Sequence, residues 1–117
     1  MFLGLRTVIY PAPDLAASKA WFAQLLGQQP YFDEPFYVGF EVGGYELGLD
    51  PSADAAAGAV SYWGVPNAAA AWQQLLAAGA TAHSEGLQDV GDGIRVGTVR
   101  EPAGNLVGII ENPHFKL

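Results

Sequence analysis

The chain reads as an α+β protein made of two β-α-β-β-β modules with mostly antiparallel strand pairing, and three observations point there. The same order of elements is written twice along 117 residues. Only two segments have helical periodicity, too few to alternate with every strand as a doubly wound nucleotide fold requires. Finally, the strands that close each half carry a glycine in mid-run at matching places. These are Gly39 and Gly48 in "YVGFEVGGYELGLDP", then Gly97 and Gly108 in "RVGTVREPAGNLVGIIENP".

The first module, about 1–52, opens with the β-rich "LRTVIY". Asp14 in "PAPD" caps the helix "LAASKAWFAQLL", because its carboxylate can accept the unpaired amides of the first turn. The helix puts Leu15, Ser18, Phe22, Leu25 and Leu26 on one stripe, and Gly27 stops it. "PYF" is a short strand, and a strand pair turning at Gly43-Gly44 follows. The second module, about 58–117, repeats the order. "AVSYWGV" is a strand, Asn67 caps the helix "AAAAWQQLLAA", and Gly79 ends it. That helix shows Ala68, Ala71, Trp72, Leu75 and Leu76 on its apolar face. "ATAHSE" is the next strand, "DVGDG" a turn, and "IRVGTVRE" and "NLVGIIE" the closing pair. Both modules are expected to form a single domain.

Composition narrows the function. Twelve acids against five bases give a net charge of −7, without a basic stripe for a phosphate backbone, so nucleic acid is not an expected partner. The same sign disfavours anionic membrane surfaces, and no apolar run approaches the ~20 residues that span a bilayer. The absence of cysteine excludes disulfides and thiolate chemistry. "MFLGLRTVIYPAPD" lacks the basic start and long apolar stretch of a secretory signal. A cytoplasmic protein is expected.

Alternation assigns the faces. In "YELGLD", Leu47 and Leu49 belong under the helix, so Glu46, Gly48 and Asp50 face the other way. In "NLVGIIE", Val107 and Ile109 take the helix side, and Leu106, Gly108 and Ile110 oppose them. Thr7 and Ile9 separate from Val8 and Tyr10; Val60, Tyr62 and Gly64 separate from Ser61 and Trp63. Mid-strand glycine costs roughly 0.5–1 kcal/mol relative to alanine. It either leaves room for a bound molecule or accepts a neighbour's large side chain lying across it. The first reading is adopted here, with Arg95 on the glycine face because it alternates with Gly97.

Three stretches, "LRTVIYPAPDLAASKAWFAQLLG", "VGFEVGGYELGLDP" and above all "VREPAGNLVGIIENP", resemble the glyoxalase/bleomycin-resistance/extradiol-dioxygenase superfamily, the vicinal oxygen chelate proteins. The last is similar to the family's final Asp-Pro-x-Gly-Asn hairpin, with Glu101 in place of the aspartate, then Pro102, Gly104 and Asn105. The resemblance covers essentially the whole chain. It implies a U-shaped sheet around a cup, with the glycine-bearing face concave, and it implies a homodimer. It also implies metal-ligand positions on the first and last strands of each module. These fall on Thr7, Val60, Gly108, and Gly48 or Glu46. Glycine, valine and threonine there cannot complete the three or more N/O ligands of a divalent ion, so neither a metal nor another cofactor is expected.

The expected function is therefore the binding of a small organic molecule in a metal-free cup. Its contacts would be Thr7, Ile9, Tyr37, Glu46, Gly48, Asp50, Val60, Tyr62, Arg95, Gly108 and Ile110. The alternative is a glyoxalase-like lyase or isomerase with a non-standard metal site or metal-free acid/base residues drawn from Glu46, Tyr62 and His83. His83 and Glu85, two apart, can share one strand face. Glu111 and His114 form a candidate polar rim. Tyr31, Phe32, Phe36 and Tyr37 read as packing or as a stacking surface for an aromatic ligand.

Overall fold

The computed structural model describes residues 1–115. Its contacts group into two compact units, Thr7–Ala59, and Met1–Arg6 together with the chain from Val60 onward. Among the described residues no helix is long and apolar enough to cross a membrane.

In the first unit, strand β1 (Gly4–Pro11) enters helix α1 (Leu15–Leu26), and strands β2 (Phe32–Glu34), β3 (Tyr37–Val42) and β4 (Tyr45–Asp50) follow. Asp14 caps α1 by accepting from the Ala17 amide at 3.1 Å, and Gly27 ends it in the left-handed region at φ 68°. Both ends of this helix are where the capping residues place them. β4 pairs parallel with β1 and antiparallel with β3. The tight β3–β4 turn uses positive φ at both Gly43 and Gly44, the geometry that only glycine adopts without strain.

Ala12, Val38, Phe40 and Leu49 are buried beneath α1, with Leu15, Phe22, Ala23, Leu26 and Leu47 packed against them. Burial of Phe40 and Leu49 contributes about 1.5–3 kcal/mol apiece. Two expectations change here. Leu25 is 66% exposed and Ala23 takes its place in the core, because the stripe rotates as it follows a helix only three turns long. The strand expected at "PYF" begins instead at Phe32.

In the second unit, the Leu3 amide donates to the Gly64 carbonyl at 2.7 Å, tying the N-terminal residues to strand β5 (Val60–Gly64). Helix α2 (Ala68–Ala77), short strands β6 (Thr81–Ala82) and β7 (Gln88–Asp89), and strands β8 (Arg95–Arg100) and β9 (Leu106–Glu111) complete it. β5 runs parallel to β9, and β9 pairs antiparallel with β8. Val65, Ala68, Ala71, Trp72, Val99 and Ile109 form its core. Asn67 caps α2 through the Ala70 amide at 2.9 Å. Glu111 reaches the same helix end and accepts from the Ala68 amide at 2.7 Å. Glu111 is thus a second cap and not a rim residue. The strand expected over "ATAHSE" stops at Ala82, because the Ser84 hydroxyl takes the Thr98 amide that a ladder would use.

The echo between the halves slips by one residue in the third strand. Gly39 pairs with Gly48, whereas Gly97 pairs with Ile109, and Thr98 with Gly108. Gly97 therefore faces α2. A Cβ there would stand 2.9 Å from Trp72 Cζ3 and 3.0 Å from Leu87 Cδ2. Arg95, on the same face, is excluded from the face that carries Gly108, which corrects its expected placement. Gly97→Ala should destabilise the protein by about 1–3 kcal/mol through overpacking against the indole. Urea unfolding checks this. In a Trp72→Ala background the cost of Gly97→Ala should largely disappear.

Candidate functional site

The face of the first unit opposite α1 is organised by one carboxylate. The pairings Thr7 with Glu46, Ile9 with Gly48 and Glu41 with Glu46 put Thr7, Ile9, Glu46, Gly48, Tyr37 and Gly39 on it together. Glu46 Oε1 accepts from Thr7 Oγ1 at 3.1 Å and from the Tyr37 hydroxyl at 2.9 Å, and Oε2 accepts from the Tyr31 hydroxyl. Three of the roughly four lone-pair directions of an ionised carboxylate are therefore taken. Thr7 is buried and Glu46 half-buried. Asp50, at the end of β4, accepts from the Ser52 amide at 2.8 Å and closes a turn.

Tyr31, which the sequence offers as packing or as a stacking surface, contributes its hydroxyl instead. Much of its ring is exposed, but its hydroxyl turns in toward Glu46. Burial of that end, the hydrogen bond to Glu46 and the carboxylate's charge together push its phenol well above the usual range. The signal available in the sequence was the tyrosine pair Tyr31 and Tyr37 flanking a short strand, opposite the carboxylate-bearing Glu46.

The space expected beside the glycines is occupied. A Cβ on Gly48 would lie 2.7 Å from Tyr37 Cζ, and one on Gly39 would lie 2.7 Å from Glu46 Oε2 and 3.0 Å from Tyr31 Cε1. In the second unit a Cβ on Gly108 would meet the Tyr62 ring at 2.6 Å. The glycines are seats for neighbouring side chains, the other of their two sequence readings.

The second unit's face opposite α2 brings together Val60, Tyr62, Thr98, Gly108 and Ile110 by register. Thr98 is buried, and its hydroxyl lies 2.9 Å from His83 Nδ1. His83 thus stands on this face, while Ser84 turns back to Gly86 and Thr98. Arg100, opposite Leu106, falls on this face by register, Arg95 does not, and Arg6 adds a second guanidinium. It lies against Gly64, where a Cβ would be 2.7 Å from Arg6 Nε. His114 binds the Asp92 carbonyl through Nε2 at 2.9 Å, which fastens the tail to the β7–β8 turn.

The hairpin that carries the resemblance works as a turn. Glu101 Oε1 accepts from the Asn105 amide at 2.8 Å and from Asn105 Nδ2 at 2.9 Å, and Gly104 takes φ 94°. The amides of Asn105 and Ala103 hold the Glu101 carboxyl below the usual carboxylate range.

Residues 4–109 match the model of the Glyoxalase/Bleomycin resistance protein/Dioxygenase superfamily. The chain belongs to that superfamily. Solved structures share the fold at low identity. A superfamily member from Vibrio splendidus 12B01 is 18% identical, with 92% of this chain and 97% of that one covered at a TM-score of 0.66. Methylmalonyl-CoA epimerase from Mycobacterium tuberculosis is 17% identical over 94% and 88%, at 0.71. The Bacillus halodurans protein BH1468 is 14% identical over 97% and 96%, at 0.75. They show the glyoxalase-like α+β fold. No curated protein matches.

The Tyr31 arrangement has a pH signature. Folding favours the protonated phenol, so its contribution is whole below the unfolded pKa of about 10 and is lost as pH rises above it. Stability should fall on the alkaline side, and Tyr31→Phe should flatten that part of the profile. Tyrosinate absorbance should include a late-titrating phenol that Tyr31→Phe removes and Glu46→Gln brings part of the way back toward the ordinary range.

Proposed function

We propose that this protein holds a small organic molecule on the glycine-bearing face of its first unit, with Glu46 as the anchor and without a metal ion. The observation that carries this reading is the carboxylate gripped by three hydroxyls from three separate segments, Thr7, Tyr31 and Tyr37. A group held from three sides is oriented before a ligand arrives, which reduces the ordering cost of binding. Its remaining acceptor direction suits a ligand bearing an N–H or O–H donor. Tyr31 and Phe36 leave large exposed ring surface near that strand pair, and it suits an apolar or aromatic remainder.

The metal that other superfamily members use does not fit these residues. Both Glu46 oxygens already receive hydroxyl hydrogens, and the Gly48 and Gly108 positions lie beneath tyrosine side chains. Among the described residues no three His, Cys, Asp or Glu side chains gather as a ligand set. The acid/base alternative has less support than binding. Its candidate base Glu46 already accepts from three hydroxyls, which leaves little of it free to take a substrate proton.

Ligands found by thermal-shift screening should bind equally well with and without chelator. Glu46→Gln should weaken them by about 10–100-fold, as expected for a lost charge-assisted hydrogen bond. Binding that vanishes on chelation, or survives Glu46→Gln unchanged, would sink the reading. Self-association as a homodimer is proposed as well, supported by the exposed Val8, Tyr10, Trp21 and Leu25 on the α1 side. Analytical ultracentrifugation should give twice the chain mass, and Trp21→Glu should shift it toward the monomer.

A further inference from the structure

We propose a second, separate binding site in the other unit: a carboxylate pocket built on Arg6. The guanidinium is fixed flat. On one side lies the bare backbone of Gly64, where a Cβ would come 2.9 Å from Arg6 Cζ. On the other lies the Phe115 ring, whose centroid is 3.8 Å from Cζ. With both faces covered, Arg6 can act only through its edge. Nη1 donates to the Leu5 carbonyl at 3.1 Å, and no acidic side chain among the described residues pairs with it.

That edge borders a cavity of about 90 Å³ lined by Leu3, Arg6, Gly64, Val65, Ile110, Asn112 and Phe115. Its polar side chains present donors. Asn112 Oδ1 is taken by the His114 amide at 2.9 Å, which leaves the Nδ2 group to hydrogen-bond. A guanidinium edge without an acidic partner and an amide N–H₂, with no carboxylate among the described lining residues, make a site for an oxyanion in a chain of net charge −7.

Shape and lining select the anion. A fixed, planar fork matches a planar carboxylate with two parallel N–H···O bonds. The cavity holds the volume of roughly three waters, which is enough for a carboxylate and a two- or three-carbon stem. Leu3, Val65, Ile110 and Phe115 suit that stem. A phosphate dianion would lose more hydration against the same apolar wall than its extra charge recovers from one guanidinium. The site therefore takes short aliphatic carboxylates, or the carboxylate end of a longer molecule, and it does not depend on the Glu46 reading.

The probe is sodium propionate, followed through the arginine Nε–H resonances of the ¹⁵N-labelled protein, with sodium phosphate and propionamide as comparison titrants. The Arg6 resonance should move saturably with propionate, at a dissociation constant of about 1 mM. Propionamide, which carries no charge, should bind at least about tenfold more weakly, and so should phosphate, whose hydration is lost against the apolar wall. Arg6→Lys keeps the charge and loses the fork, and should also cost about tenfold. Gly64→Ala, which lifts the guanidinium from its seat, should weaken binding with Arg6 intact. The absence of a saturable shift, equal binding of propionamide or phosphate, or an unaffected Arg6→Lys variant would each overturn the proposal. The first two are read on the unsubstituted protein, so they hold even where a variant misfolds.

Discussion

The structure depends on large side chains lying across bare strand backbone. Tyr37 covers Gly48, Tyr62 covers Gly108, Trp72 covers Gly97, and Arg6 covers Gly64. A mid-strand glycine costs roughly 0.5–1 kcal/mol in chain entropy and lost packing. An aromatic side chain brought out of water contributes about 1.5–3 kcal/mol, so the exchange favours folding at Gly48, Gly97 and Gly108. Any Cβ would force the ring away from the sheet. The site follows from the same contact, because Tyr37 reaches Glu46 only by lying along Gly48. A glycine and a carboxylate two residues apart on one strand face therefore act together.

Much of this was legible in the sequence, for physical reasons that also explain the rest. The start of each helix is set by a local side chain, Asp14 or Asn67, and the end by Gly27 or Gly79 just beyond the last turn. These are short-range chemistry and can be read from neighbours. The faces of β4 and β9 were readable because leucine, valine and isoleucine alternate there with polar or glycine positions. Gly97 was not readable. Glycine carries no polarity to mark its face, and matching Val-Gly in both halves assigned it to the wrong one. Only the register with β9, a tertiary fact, turns it toward Trp72. Arg95 followed Gly97 into the same error, and Arg100 and Arg6 supply the guanidinium groups instead.

Two modules of common order have been fitted with different polar chemistry. Glu46 in the first unit is met by two phenols and a threonine, whereas the second unit's face carries buried Thr98 and the His83 imidazole. The residues that keep the fold recognisable do other tasks. Glu101 and Asn105 satisfy each other and the turn amides, and the caps satisfy helix ends. Such groups are constrained by the backbone they serve, and the face residues are not. That is why the turn and cap residues mark the superfamily while the chemistry lies in the residues of the face.

A half-buried carboxylate cannot be left bare, because its lost hydration must be replaced. A cation is one replacement and a set of hydroxyl donors is another, and the two compete for the same lone pairs. In this chain the hydroxyls hold Glu46, and the tyrosines that bring them also fill the space over Gly39 and Gly48. The two substitutions are coupled. Restoring a ligand side chain at Gly48 would displace Tyr37, and displacing Tyr37 would strip a donor from Glu46. A face organised in this way does not gain a metal ligand by one substitution alone.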